Sequence, residues 1–151
     1  ILNLVNQEDN LILTSIPLDF EIKEAVFSLK HDSSSGPDGF DNFFFQNYWD
    51  IIHVDVCRLV SQFFKGDFLP QGLNARFLAL IPKVDNANEI HLFRPVSMVN
   101  TIFKIICKIL AMRLSSIASK IFSLNQFGFI KGRSIQDFLS TASECVNLPM
   151  K

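Results

Sequence analysis

An α+β fold rich in helix follows from three features of the sequence. Apolar residues recur every three or four positions in several long stretches, one short apolar run is stopped by a proline, and clusters of Gly, Pro, Asp and Ser divide them. At 151 residues the chain fits one domain or a piece of a larger one. Sixteen Phe and a positive mean hydropathy supply a sizeable core.

The stretch "DFEIKEAVFSL" is expected to be the first helix. Asp19 is a candidate N-cap, and Ile22, Val26 and Leu29 recur at helical spacing. "HDSSSGPDGF" reads as a polar loop whose Pro37-Asp38-Gly39 suits a tight turn, since Pro presets φ and Gly accepts the exit. Phe45, Trp49, Ile52, Val56, Val60 and Phe64 then predict one or two helices ending at Gly66. "ARFLALIP", short and closed by Pro82, predicts a strand. From Asn100 a long helix is expected, with Ile102, Ile106, Ile109, Leu110, Leu114 and Ile117 on one face and Lys104, Lys108 and Ser115 opposite. Arg113 falls within the apolar stripe, either snorkelling or buried against an acid. Ser134-Ile135-Gln136-Asp137 has the spacing of a capping box before a last helix.

Several classes are excluded or disfavoured. The most apolar segment, "IFKIICKILAMRL", is interrupted by Lys104, Lys108 and Arg113, so no membrane span is expected. Ile1 occupies the place of an initiator Met and "ILNLVNQEDN" is no signal peptide, which leads us to expect a fragment of a longer chain. Cys57, Cys107 and Cys145 are odd in number and far apart, favouring a reduced, intracellular compartment over a disulfide scaffold. His31, His53 and His91 lack metal-ligand spacing. "DNANEI" lacks the glycine of a calcium loop, with Ile90 in its place. No GxGxxG, P-loop or GxSxG occurs.

Charge is distributed unevenly behind a net value of −1. Residues 1–75 carry four Lys/Arg against eleven Asp/Glu, a balance of −7, whereas residues 76–133 carry nine Lys/Arg against Asp85 and Glu89, a balance of +7. A basic block of this size suits a polyanion. Two oppositely charged halves docking on one another is the competing reading. The same ambiguity holds for "NQFGFIKGRSIQDFL" at 125–139, which is either a loop entering a capped helix or a basic edge softened by glycine.

Four phrases occur in order: "SSSGPDGF" at 33–40, "NARFLALIPK" at 74–83, "FRPVSMVNTIFKIICKILAMRL" at 93–114 and "NQFGFIKGRSIQD" at 125–137. In this order and spacing the chain resembles the N-terminal, fingers and early-palm portion of the reverse transcriptase domain of plant LINE-type (non-LTR) retrotransposons. The resemblance covers about residues 15–140, leaves 1–14 as an upstream linker, and implies a partial right-hand polymerase, truncated before the catalytic palm strands, over 1–151.

The resemblance also implies roles. Lys83 of "IPK" and Arg94 of "FRP" match fingers positions that face the triphosphate of an incoming deoxynucleotide. Lys131, Gly132 and Arg133 match a segment near RNA template and DNA primer, where Gly132 would let the backbone approach and Arg133 bind a phosphate or stack on a base. Capping accounts for Asp137 without a function, and Phe127 and Phe129 read as core. The intact family enzyme uses Mg²⁺ held by palm aspartates in an F-x-D motif and a later x-Asp-Asp turn. Neither occurs here, and Asp137 and Glu144 would be separated by about 10.5 Å of helical rise. The expectations are therefore no catalytic residue and no bound metal in this chain, weak triphosphate binding without turnover, self-association through exposed apolar faces, and nuclear residence for an intact element. The alternative is a non-enzymatic nucleic-acid-binding module or an inert retroelement remnant.

Overall fold

The computed structural model describes residues 4–67 and 70–123 and, singly, 126, 132, 134, 136, 139 and 143. The described elements are helices α1 (Gln7–Thr14), α2 (Asp19–Phe27), α3 (Asn42–Asn47) and α4 (Trp49–Lys65), strands β1 (Arg76–Pro82) and β2 (Phe93–Val99), and helix α5 (Thr101–Ile121). A single 3₁₀ turn, Ile90–Leu92, precedes β2. The helix-rich α+β class expected from the sequence is the class observed. The chain divides into two compact units, Ser15–Ile109 and Ile1–Thr14 with Leu110–Lys151, and α5 contributes to both.

In the larger unit, α2, α3 and α4 touch one another. Ile22, Ala25 and Val26 of α2, Phe45 of α3, and Trp49, Val56, Cys57 and Val60 of α4 are buried. Each large apolar side chain removed from water contributes about 1.5–3 kcal/mol before entropy is counted. Helix α4 ends as its sequence requires: Gly66 adopts φ 75 and donates to the carbonyls of Gln62 and Phe63, with Lys65 in the last turn. Asp19 is not the N-cap of α2; Leu18 holds that position without a side-chain bond, and Asp19 is the first helical residue. Its carboxylate is instead drawn to the Cys57 thiol.

Two buried amides splice α3 to its neighbours. Gln46 Nε2 donates to the carbonyls of Val26 and Leu29 at 2.8 and 2.9 Å, satisfying acceptors at the end of α2. Asn42 Nδ2 donates to the Lys30 carbonyl at 2.7 Å, and its Oδ1 accepts from Thr101 Oγ1 at 3.3 Å. Along α5, Ile102, Ile105, Ile106 and Ile109 are buried. Leu114, expected on that apolar face, is 51% exposed.

In the smaller unit, the stretch read as an upstream linker contains α1. A reciprocal capping pair opens it: Asn6 Oδ1 accepts from Asp9 N at 2.7 Å, and Asp9 Oδ2 accepts from Asn6 N at 3.2 Å. Asp9 also accepts from Lys120 Nζ at 2.7 Å. Arg113 is buried, and its Nη1 donates to the Leu13 carbonyl at 3.3 Å. Ser134 Oγ accepts from Gln136 N at 3.1 Å, a contact two residues on rather than the three of a capping box. Asp137, Phe127, Phe129 and Glu144 lie outside the described residues.

Candidate functional site

The hairpin formed by β1 and β2 carries Lys83 and Arg94. Its strands are antiparallel, with Arg76 opposite Val99, Leu80 opposite Pro95, Ile81 opposite Arg94 and Pro82 opposite Phe93. The ladder runs one step further, where Lys83 N donates to the Leu92 carbonyl at 2.8 Å. That bond makes 83 and 92 a hydrogen-bonded pair. Bonded and non-bonded pairs alternate in an antiparallel ladder, so odd-numbered positions of β1 bond inward to β2 and even-numbered ones point away. Pro82 and Pro95 both fall at outward positions, where a missing N–H breaks no ladder bond. This explains how "FRPVSMV", which the sequence does not announce as a strand, becomes β2.

The same alternation sets the faces. Paired residues share a face, and positions two apart on a strand share it too. Phe77, Ala79, Ile81 and Lys83 therefore line one face together with Met98, Val96 and Arg94. Lys83 and Arg94 are diagonal neighbours on it, about 7–8 Å apart at the backbone, and both are exposed. Lys83 Nζ donates to the His91 carbonyl at 2.8 Å, across its own hairpin. No side-chain hydrogen bond or ion pair of Arg94 occurs among the described residues.

Four other cations of the basic stretch are engaged within the chain, and Lys108 is half-buried with no side-chain partner among the described residues. Arg76 Nη2 donates to Asn74 Oδ1 at 2.6 Å, Arg113 and Lys120 serve the smaller unit, and Lys104 is half-buried rather than on a free polar face. Lys104 Nζ donates to Ser33 Oγ at 3.0 Å and to the Ser34 carbonyl, fastening the "SSSG" loop to α5. Burial lowers its pKa, opposed by the nearby Asp38 and Asp41 carboxylates.

Sequence reasoning missed the junction that fixes the hairpin to this loop. Asn100, buried between β2 and α5, accepts from Asp38 N through Oδ1 at 3.2 Å. Its Nδ2 donates to the carbonyls of Gly72 and Leu73 at 3.1 and 3.4 Å. Thr101 Oγ1 donates to the Phe40 carbonyl at 3.0 Å. A Cβ on Gly36 would lie 2.3 Å from Asn100 Oδ1, 2.4 Å from Asn100 N and 2.6 Å from the Val99 carbonyl carbon. The glycine at 36 is thus imposed by close approach of the loop to the end of β2. The signal available in the sequence was an asparagine directly before an amphipathic helix, and it named no partner.

Of the other residues singled out from sequence, Gly132 is exposed with φ 86, a left-handed conformation suited to glycine. Lys131 and Arg133 lie outside the described residues. A groove of about 310 Å³ lies elsewhere in the larger unit, lined by Asp19, Lys23, Trp49, Asp50, His53 and Cys57 among others, with no hairpin residue. Burial first, and then the Asp19 carboxylate, pushes the Cys57 thiol up to about 11, so it is no nucleophile at neutral pH. Among the described residues no three His, Cys, Asp or Glu side chains gather so as to hold a metal ion. No described helix is long and apolar enough to cross a membrane.

Over 124 residues the chain is 35% identical to the Transposon TX1 uncharacterized 149 kDa protein of Xenopus laevis. The match takes in 82% of the chain and 9% of that protein, so the chain spans under a tenth of this relative's length. The similarity supports a transposon-derived origin. No model of a known protein family matches the chain.

Proposed function

We propose that the chain is part of a reverse transcriptase of a non-LTR, LINE-type retrotransposon, and that its hairpin grips the triphosphate of an incoming deoxynucleotide. The observation that carries this reading is the exposure of Lys83 and Arg94 as diagonal neighbours on one hairpin face. Similarity to a transposon protein supports the retroelement half of the proposal; its source, a frog, lends nothing to a plant origin.

The chemistry follows from charge and shape. Arg94 offers a planar fork that can take two phosphate oxygens, and Lys83 a compact ammonium for a third. A triphosphate would displace the Lys83 bond to the His91 carbonyl. The ammonium would exchange a neutral acceptor for an anionic one, which adds attraction between opposite charges to a bond assisted so far only by the donor's charge. The fastened loop and the Asn100 junction hold the hairpin in position, which lowers the entropy lost on binding. Lys131, Gly132 and Arg133 would contact RNA template or DNA primer through the backbone phosphates.

Equilibrium binding of a labelled deoxynucleotide triphosphate to the chain and its variants tests the proposal. Lys83→Ala and Arg94→Ala should each weaken binding by about tenfold or more, the scale of one hydrogen bond to a charged group. Arg94→Lys should retain part of the affinity, and the unphosphorylated nucleoside should not distinguish the variants. Absence of triphosphate binding, or binding indifferent to both alanine substitutions, would refute it.

A further inference from the structure

We propose that the outer edge of β1 pairs with β1 of a second copy of this chain, joining two hairpins into a four-stranded sheet. The inference is independent of nucleotide binding, because it uses the edge of the hairpin and leaves the Lys83–Arg94 face open.

Among the described residues the sheet has two strands, and a two-stranded sheet is marginal in water. Both of its faces are apolar and uncovered: Leu78 is 66% and Leu80 51% exposed on one, Phe77 54% and Ile81 49% on the other. The two edges differ. On β2 the outward positions are 93, 95, 97 and 99, and Pro95 interrupts them. Proline in mid-edge blocks strand addition. On β1 the outward positions are Arg76, Leu78, Leu80 and Pro82, so the N–H and C=O groups of Leu78 and Leu80 are adjacent and unobstructed. Residues 77–82 carry no charge, the residue type that most often guards an exposed edge.

The strand is complementary to itself when run antiparallel about a two-fold axis at Ala79. Leu78 then exchanges backbone bonds with Leu80 of the second copy, and Leu80 with its Leu78. On one face these leucines meet; on the other, Phe77 faces Ile81 of the second copy, an aromatic–β-branched pair that favours sheet formation. The two Ala79 residues meet at the axis, where small side chains cause no crowding. Arg76 lies opposite Pro82 of the second copy, and Lys83 of that copy projects from the other face, so like charges are kept apart. Both outer edges of the resulting sheet are β2 with its Pro95, which stops growth at two copies. A strand with open apolar faces and one guarded edge thus specifies a closed dimer rather than a fibre.

Sedimentation of the 151-residue chain should give about twice its 17.2 kDa mass at micromolar concentration. Leu80→Pro removes an outward donor without touching the inner ladder and should yield a monomer with unchanged circular dichroism. Ser97→Pro makes the equivalent change on the β2 edge and should leave the dimer intact. In a Cys107→Ser, Cys145→Ser background, Ala79→Cys should form an intermolecular disulfide on mild oxidation. The opposed residues form a non-hydrogen-bonded pair about 4.5 Å apart at Cα, within disulfide range. Leu80→Cys, which faces Leu78, should cross-link at least tenfold less. A chain that stays monomeric up to about 100 µM, well above a micromolar Kd, would leave this edge to a strand of another polypeptide and overturn the proposal. So would a dimer that survives Leu80→Pro, or equal cross-linking at 79 and 80.

Discussion

Gly36→Ala should destabilise the larger unit far more than Gly39→Ala, although Gly39 is the glycine that the turn itself requires. Gly39 has φ 78, and a Cβ there would meet nothing within 4 Å. Its substitution costs only the left-handed backbone preference, about 1–2 kcal/mol. At Gly36 a Cβ would stand 2.4 Å from Asn100 N and 2.6 Å from the Val99 carbonyl carbon, and backbone atoms cannot rotate away as a side chain can. Forcing the loop off β2 costs about 1–3 kcal/mol as overpacking. It also breaks the Asn100 bonds to Asp38 and Gly72, at roughly 1 kcal/mol each. The sum, about 3–5 kcal/mol, is a large part of the roughly 5–15 kcal/mol that holds a domain together. Urea unfolding read by Trp49 fluorescence measures both variants on one scale. Asn100→Ala provides the coupling control. It removes the 2.3 Å clash with Oδ1 but not the backbone ones, so Gly36→Ala should still destabilise the Asn100→Ala protein by about 1–3 kcal/mol. If Gly36→Ala unfolds at the wild-type urea concentration, or later than Gly39→Ala, the close approach of loop and strand is wrong.

In the smaller unit the Lys120 hydrogen bond, and then the Asn6 amide, hold the Asp9 carboxyl below its ordinary value of 3.8. A lowered folded-state pKa contributes stability above that ordinary value, and the contribution is lost as pH falls through the folded value. Protection of α1 amides, taken as exchange relative to the intrinsic rate at each pH, should therefore fall in acid for the wild type, whereas Asp9→Asn should already be less protected at neutral pH and lose little more in acid; parallel profiles would contradict the pairing. With its thiol near 11, Cys57 has a thiolate fraction of about 10⁻³ at pH 8. Iodoacetamide at that pH should label the exposed Cys107 well before Cys57, as peptide mass mapping would show, and early labelling of Cys57 would mean that α4 is not packed as described. Replacing Lys131 and Arg133 together by Ala should lower the slope of log affinity against log salt on single-stranded RNA by about 0.7 for each phosphate no longer neutralised. An unchanged slope would remove these residues from the nucleic-acid interface.

The sequence by itself determined the elements whose causes are local. Helices α3 and α4 follow from apolar spacing and stop at Gly66 because only the residue there must turn left-handed. Strand β1 runs to Pro82 as its composition predicts, and the GPDG turn closes with Gly39 N donating to the Gly36 carbonyl. Lys83 and Arg94 were singled out because they belong to phrases with a recognisable order, and the hairpin register places them on one face. What the tertiary structure decided depends on contacts between distant residues. A proline within "FRPVSMV" argues against a strand until the register with β1 puts its nitrogen on the outer edge. Helical periodicity assigns Leu114 to an apolar stripe, yet neighbours leave it half exposed while the fully buried Ile105 anchors the core. Arg113 on that stripe could have snorkelled or been buried against an acid; it is buried, with the Leu13 backbone carbonyl among its partners. Gly36 is read as turn chemistry in one dimension, whereas Asn100, more than sixty residues later, is the reason it must be glycine. Spacing along a chain encodes which side of an element is apolar and where it must end; which atoms then cover that side is fixed only when loop closure brings remote backbone groups within hydrogen-bonding distance.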